Sequence, residues 1–100
     1  MELQRNYGLF QEAGAEVVAL AVNSVTSVDG ARQVVGAAYP MLADPAHQVA
    51  EAYGVYNLLG DGLAAPAVFV IDTDGHIAWS RVGWSPTDRP SVWTILEHLP

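Results

Sequence analysis

The sequence predicts a mixed α/β domain, on three observations. Val17-Val18-Ala19-Leu20-Ala21-Val22 is a continuous apolar run rich in β-branched residues, which suits a strand covered on both faces of a parallel sheet. Segments on either side carry apolar residues at helical rather than alternating spacing. Near the end, Asp74-Gly75 separates two apolar runs, the pattern of an antiparallel hairpin. The order is helix, strand, helix, short helix, hairpin, helix, an α/β plan with one antiparallel pair at its end.

Each element has its own local signals. Leu3, Tyr7, Phe10 and Ala13 share one helical stripe over residues 2–13, and Gly14 follows where a left-handed C-terminal cap belongs. After the strand at 17–22, Ser27 caps a second helix with Val28, Ala31, Val34, Val35 and Ala38 on its stripe, and Pro40 ends it. Asp44-Pro45 opens a short helix through Val49, Ala52 and Tyr53, closed by Gly54. Gly60, Asp61 and Gly62 make residues 57–65 a loop. Residues 67–71 form a buried strand, Asp74-Gly75 a two-residue primed turn, and residues 77–82 the returning strand. From Ser91, Val92, Ile95, Leu96 and Leu99 form the stripe of a last helix.

Composition narrows the function. One hundred residues at 51% hydrophobic content fit a single domain over 1–100, near the lower size for a self-sufficient core. The longest apolar runs, at 17–22 and 63–71, are far shorter than the roughly 20 residues that span a bilayer. Met1-Glu2-Leu3-Gln4-Arg5 lacks the charged-then-apolar order of a signal peptide, so a soluble, cytoplasmic chain without membrane contact is expected. Four arginines, no lysine and eleven acidic residues give a net charge of −7, which disfavours nucleic acid as a partner. The chain holds no cysteine. That excludes disulfides, thiolate metal sites and thiol nucleophiles within it.

Three segments resemble, in order, the AhpC/TSA and redoxin branch of the thioredoxin-like superfamily. They are Gly14 to Ser24, then Tyr39-Pro40-Met41-Leu42-Ala43-Asp44-Pro45 with Val49 to Val55, then Ala65-Pro66-Ala67-Val68-Phe69-Val70-Ile71-Asp72 with Asp74-Gly75. The resemblance implies a thioredoxin-like fold, truncated at its N-terminus, with a mixed central sheet, flanking helices and a C-terminal hairpin plus helix. It also implies thiol-dependent reduction of peroxides or disulfides. In such families the reactive cysteine stands just ahead of the helix matching residues 2–13, after an opening strand, and neither that strand nor the cysteine is present here. Peroxiredoxins commonly carry an arginine before the strand matching 67–71, where this chain has Pro66.

Peroxide reduction requires a thiolate of depressed pKa, and a thioether has no proton to lose. The expectation is therefore a chain inactive on its own in thiol chemistry. A non-enzymatic binding or assembly module is the alternative, as is a fragment of a longer redoxin containing cysteine or selenocysteine. The resemblance places the absent strand between the strands at 17–22 and 67–71, leaving two unpaired backbone edges. Direct pairing of those strands, exchange between chains or strand addition could close them, and a homodimer through the strand edges is expected.

Individual residues add little chemistry. The resemblance makes Pro66 a cis-proline beside a substrate groove formed with Ala65 and Ala67; the other reading is an ordinary trans-proline at a strand start. Asp72-x-Asp74-Gly75 lacks the spacing of a calcium loop. His47, His76 and His98 offer no i, i+4 ligand pair. Trp79, Trp84 and Trp93, with Tyr53 and Tyr56, either line an apolar groove or pack the last helix on the hairpin. Arg81 and Arg89, and Asp61, Asp88 and Glu97, have no spacing that unites them. No catalytic residue, cofactor or metal ligand is assigned.

Overall fold

A computed structural model describes residues 2–100. Its first stripe is two short helices, α1 (Glu2–Arg5) and α2 (Tyr7–Glu12), rather than one. The break falls at Asn6, whose φ of −108° and ψ of 11° leave the helical region; asparagine competes with helix geometry by bonding locally. Gly14 supplies the expected left-handed residue, at φ 77°. The Ala15 N–H then returns to the Phe10 carbonyl at 2.8 Å, closing α2 as a Schellman-type end.

The apolar run gives a strand shorter than predicted, β1 (Ala19–Ala21). It pairs in parallel with β2 (Met41–Ala43), in register Ala19 with Met41 and Ala21 with Ala43. Three residues between Pro40 and Asp44 are too few to show a strand period, so β2 is not visible as such in the sequence. Between them runs α3 (Val25–Val35), capped by Ser24, whose hydroxyl accepts the Ser27 N–H at 3.1 Å. Ser27 is thus inside the helix that it was expected to cap. Gly36, left-handed at φ 69°, ends α3 ahead of Pro40.

Asp44 caps at a distance. Its carbonyl accepts the His47 N–H in a turn with Pro45, and its carboxylate accepts the Ala50 N–H at 2.9 Å, so α4 (Gln48–Ala52) starts later than Pro45 implied. The C-terminal hairpin joins β3 (Ala67–Ile71) to β4 (Ile77–Val82). The Asp72 N–H donates to the His76 carbonyl at 2.8 Å around a three-residue loop, and Gly75 alone of that loop has positive φ, at 86°. A primed two-residue turn would need positive φ at Asp74 as well, so that expectation is corrected to a longer loop with a left-handed glycine. The last helix, α5 (Val92–Glu97), lies where its apolar stripe predicted, and Ser91 caps it by accepting from the Thr94 N–H.

The core lies on one side of the hairpin. Phe10 of α2, Val70 of β3, and Val92 and Ile95 of α5 are buried together, with Leu3, Val17, Val68 and Trp79 packed around them. This layering of helices on a sheet is the predicted α/β plan. Among the described residues, however, the strands form two separate two-stranded sheets, β1–β2 and β3–β4, with no ladder joining them. No helix among the described residues is long and apolar enough to cross a membrane.

Candidate functional site

The gap between the two sheets is the most distinctive surface of the molecule. A groove of about 1480 Å³ runs between β1 and β3, with its ends reaching Glu16, Asp72 and Arg89. Hydrogen-bond geometry defines its walls. Ala19 donates to Pro40 at 2.9 Å, and the Ala21 carbonyl accepts from Asp44 at 2.8 Å, so both face β2. Strand alternation then turns the Leu20 N–H and C=O toward the groove.

On the opposite wall, the Gly83 N–H donates to the Pro66 carbonyl at 2.7 Å. Along the β3–β4 register this makes Val68 with Arg81, and Val70 with Trp79, the hydrogen-bonded pairs. The amides and carbonyls of Ala67 and Phe69 therefore point away from β4. Each wall presents backbone donors and acceptors of a sheet interior. Leu20 is 36% and Val18 58% exposed, so side chains with the composition of a covered strand stand partly open. Tyr53 meets the Phe69 ring edge-on at 4.8 Å, bracing the β3 wall.

Ala65, Pro66 and Ala67 are among the residues that line this groove. Ala65 is buried and its N–H donates to the Val55 carbonyl at 2.9 Å. There is no cis peptide bond among the described residues, so the Ala65–Pro66 bond is trans, against the cis expectation. Pro66 behaves as a strand-start proline: it gives no donor, and its carbonyl begins the β3–β4 ladder. The direct pairing of β1 with β3 that could have closed the gap does not occur.

The other candidates disperse. Trp79 packs on the core and stacks on His98 at 4.3 Å, while Trp84 and Trp93 stand exposed, so the tryptophans form no common groove. His47 stacks on Tyr56 at 3.9 Å, 3.0 Å from a Glu51 carboxylate oxygen. Asp72, Asp74 and His76 cluster at the hairpin loop, where the Asp72 carboxylate accepts the Asp74 and His76 backbone N–H groups and so organises the turn.

One pair that spacing concealed does form: Arg81 and Asp88 meet at 3.2 Å, and the other Asp88 oxygen accepts the Trp84 N–H. That backbone donor chiefly, with the guanidinium beside it, holds the Asp88 carboxyl below its ordinary range. Seven residues of separation across a loop give no periodic signal, so only the fold exposes it. The pair clamps the 83–91 loop.

Comparison with known proteins places this geometry. Residues 1–80 match the model of the AhpC/TSA family. Over 76 residues the chain is 38% identical to alkyl hydroperoxide reductase C of Pseudomonas aeruginosa, covering 72% of this chain and 40% of that protein. The crystal structure of Enterococcus faecalis AhpC superposes with a TM-score of 0.80 at 26% identity, over 97% of this chain and 60% of that one. Mycobacterium bovis AhpC gives a TM-score of 0.81 at 21% identity, over 94% and 53%. The chain thus spans less than two thirds of the length of these relatives.

Proposed function

Since the chain belongs to the AhpC/TSA family, we propose that it is a thioredoxin-like scaffold of peroxiredoxin type whose hundred residues, holding no cysteine, have no thiol turnover of their own and associate through a strand edge. One observation carries this: a family fold whose relatives include an alkyl hydroperoxide reductase occurs here with no cysteine among its hundred residues. Reduction of a peroxide by such a protein needs a thiolate to attack the O–O bond. Met41 cannot substitute, because its sulfur bears no ionisable proton.

The unpaired strand edges support the association. β4 is the longest strand and its outer edge has no strand partner among the described residues, with Ser80 and Val82 directing backbone groups away from β3. Antiparallel pairing of this edge with the same edge of a second copy would give a two-fold homodimer without disturbing either fold. Ala65, Pro66 and Ala67 would serve as one end of a binding groove, not as a redox subsite.

Two measurements test the proposal. A peroxidase assay coupled to thioredoxin should give no turnover above buffer, and appreciable turnover by this chain would remove the claim of inactivity. Sedimentation at micromolar concentration should show a dimer; a stable monomer would remove the homodimer.

A further inference from the structure

We propose that His47 is a proton-operated latch between α4 and the 56–64 loop, fastened when its imidazole carries a proton and loosened when it does not. The inference uses neither the groove nor the hairpin edge and does not rest on the association proposed above.

Three observations meet at this ring. His47 stands at the start of α4 in a left-handed conformation, at φ 51°, which a histidine adopts uncommonly. Its ring lies flat on Tyr56, with 3.9 Å between centroids and 10° between planes. Its Nδ1 is 3.0 Å from a Glu51 carboxylate oxygen, yet that nitrogen is closed to solvent and makes no hydrogen bond among the described residues. The carboxylate is close but off the line that a hydrogen bond needs.

The proton decides what these contacts are worth. In a neutral ring Nδ1 either turns a lone pair toward the carboxylate or carries a hydrogen aimed past it, and both leave a buried polar atom unsatisfied. A charged ring attracts the carboxylate without needing that alignment, and its stack on Tyr56 becomes a cation–π contact. Histidine changes charge between pH 5 and 8, an interval in which ordinary carboxylates and phenols keep theirs. The groups around the ring are Glu51 of α4, the Tyr56 phenol, Asp44 of the preceding turn and Asp61 of the loop. Asp44 is engaged, its carboxylate by the Ala50 N–H and its carbonyl by the His47 N–H. Asp61 accepts the Leu63 N–H.

The loop transmits what happens at Tyr56. Tyr56 bridges to Ala64, the Asn57 N–H donates to the Leu63 carbonyl at 2.7 Å, and the Asn57 side-chain oxygen accepts the Gly62 N–H at 2.8 Å. Residues 56–64 are therefore one closed unit, held to the start of α4 by the stacked ring.

Amide hydrogen exchange of the full chain at pH 5 and pH 8 tests the latch, each rate being divided by that of the unstructured amide at the same pH. Protection at Asn57 and Gly62 should be roughly four- to ten-fold greater at pH 5, the scale of a weak ion pair with a cation–π contact. Amides of α3 should keep the same protection at both. His47→Asn retains a residue tolerant of the left-handed region and should abolish the difference. Glu51→Gln, at an exposed position that leaves the backbone alone, should reduce it, and decides the matter where His47→Asn does not fold. Equal loop protection at the two pH values in the unmodified chain overturns the proposal, as does a difference that either variant retains in full. A matching pH dependence across α3 also overturns it, because the effect would then be one of global stability.

Discussion

The Tyr7 hydroxyl donates to a Glu16 carboxylate oxygen at 2.5 Å, tying α2 to the segment that enters β1. The same oxygen accepts the Val17 N–H at 2.8 Å, fixing the chain direction just before the groove wall. These bonds favour the charged carboxylate, the phenol first and the backbone amide second, and hold Glu16 below its ordinary pKa; the carboxylate in turn raises that of Tyr7. For Glu16 the folded pKa lies below the unfolded one. Its contribution is therefore present above the ordinary carboxylate range and lost as pH falls through the folded value. For Tyr7 the sign reverses, and its contribution is lost as pH rises through a value above 10.0. Tyr7→Phe should raise the Glu16 pKa, read by carboxyl carbon NMR titration, and should lessen the loss of stability on acidification. An unchanged Glu16 titration would show that the phenol does not govern it.

Asp44 is the only buried charged side chain among the described residues, at 6% exposure, and it accepts the N–H of Ala50, itself 2% exposed. Asp44→Ala would leave that amide without a partner in a site water cannot readily reach. The expected cost is about 1–3 kcal/mol, the scale of an unsatisfied buried donor. Urea denaturation measures it, with Asp44→Asn retaining an acceptor oxygen and losing less. Equal losses in the two variants would assign the effect to charge rather than to the hydrogen bond.

The elements with two-sided local signals were legible in the sequence. Ser91 with the Val92 and Ile95 stripe fixed α5, and Gly14 marked the end of α2, because caps and periodicity act within one or two turns. Where two local signals competed, the sequence misled: Ser24 rather than Ser27 caps α3, and Gly36 stops it ahead of Pro40. β2 was hidden because three residues carry no period, and its identity rests on Ala19 and Ala21 bonding across a crossover. The unpaired edges of the strands at 17–22 and 67–71 were anticipated from the family resemblance; the groove between them was not. Its backbone walls and the trans state of Pro66 depend on long-range register, which local chemistry does not encode.

The core around α5 and the outer face of α3 should respond oppositely to truncation. Ile95 is buried against Phe10, Val70 and Val92, so Ile95→Ala removes apolar contact and leaves a cavity. A loss of about 2–5 kcal/mol is expected. Val34 is 90% exposed on α3, and Val34→Ala should change stability by less than about 0.5 kcal/mol. Chemical denaturation of both variants separates the cases, and comparable effects would contradict this placement of the core.

Two glycines make the sharpest pair of predictions. A Cβ on Gly83 would overlap the Asp88 backbone carbonyl, which cannot rotate away as a side-chain tip could. Gly83→Ala therefore has to open the 83–91 loop, and with it the contacts Asp88 makes to Arg81 and Trp84. It also displaces the Gly83 N–H from the Pro66 carbonyl at the first rung of the β3–β4 ladder. Thermal unfolding should occur at lower temperature, and the Asp88 carboxyl should titrate closer to its ordinary range. Gly30, by contrast, lies inside α3 with open space where a Cβ would stand and no positive φ. Gly30→Ala should stabilise the chain by roughly 0.5–1 kcal/mol, through helix propensity and a less flexible unfolded chain. A stabilised Gly83→Ala would show that the loop is not clamped by the Arg81–Asp88 pair, and a destabilised Gly30→Ala would place α3 against a surface that this packing leaves open.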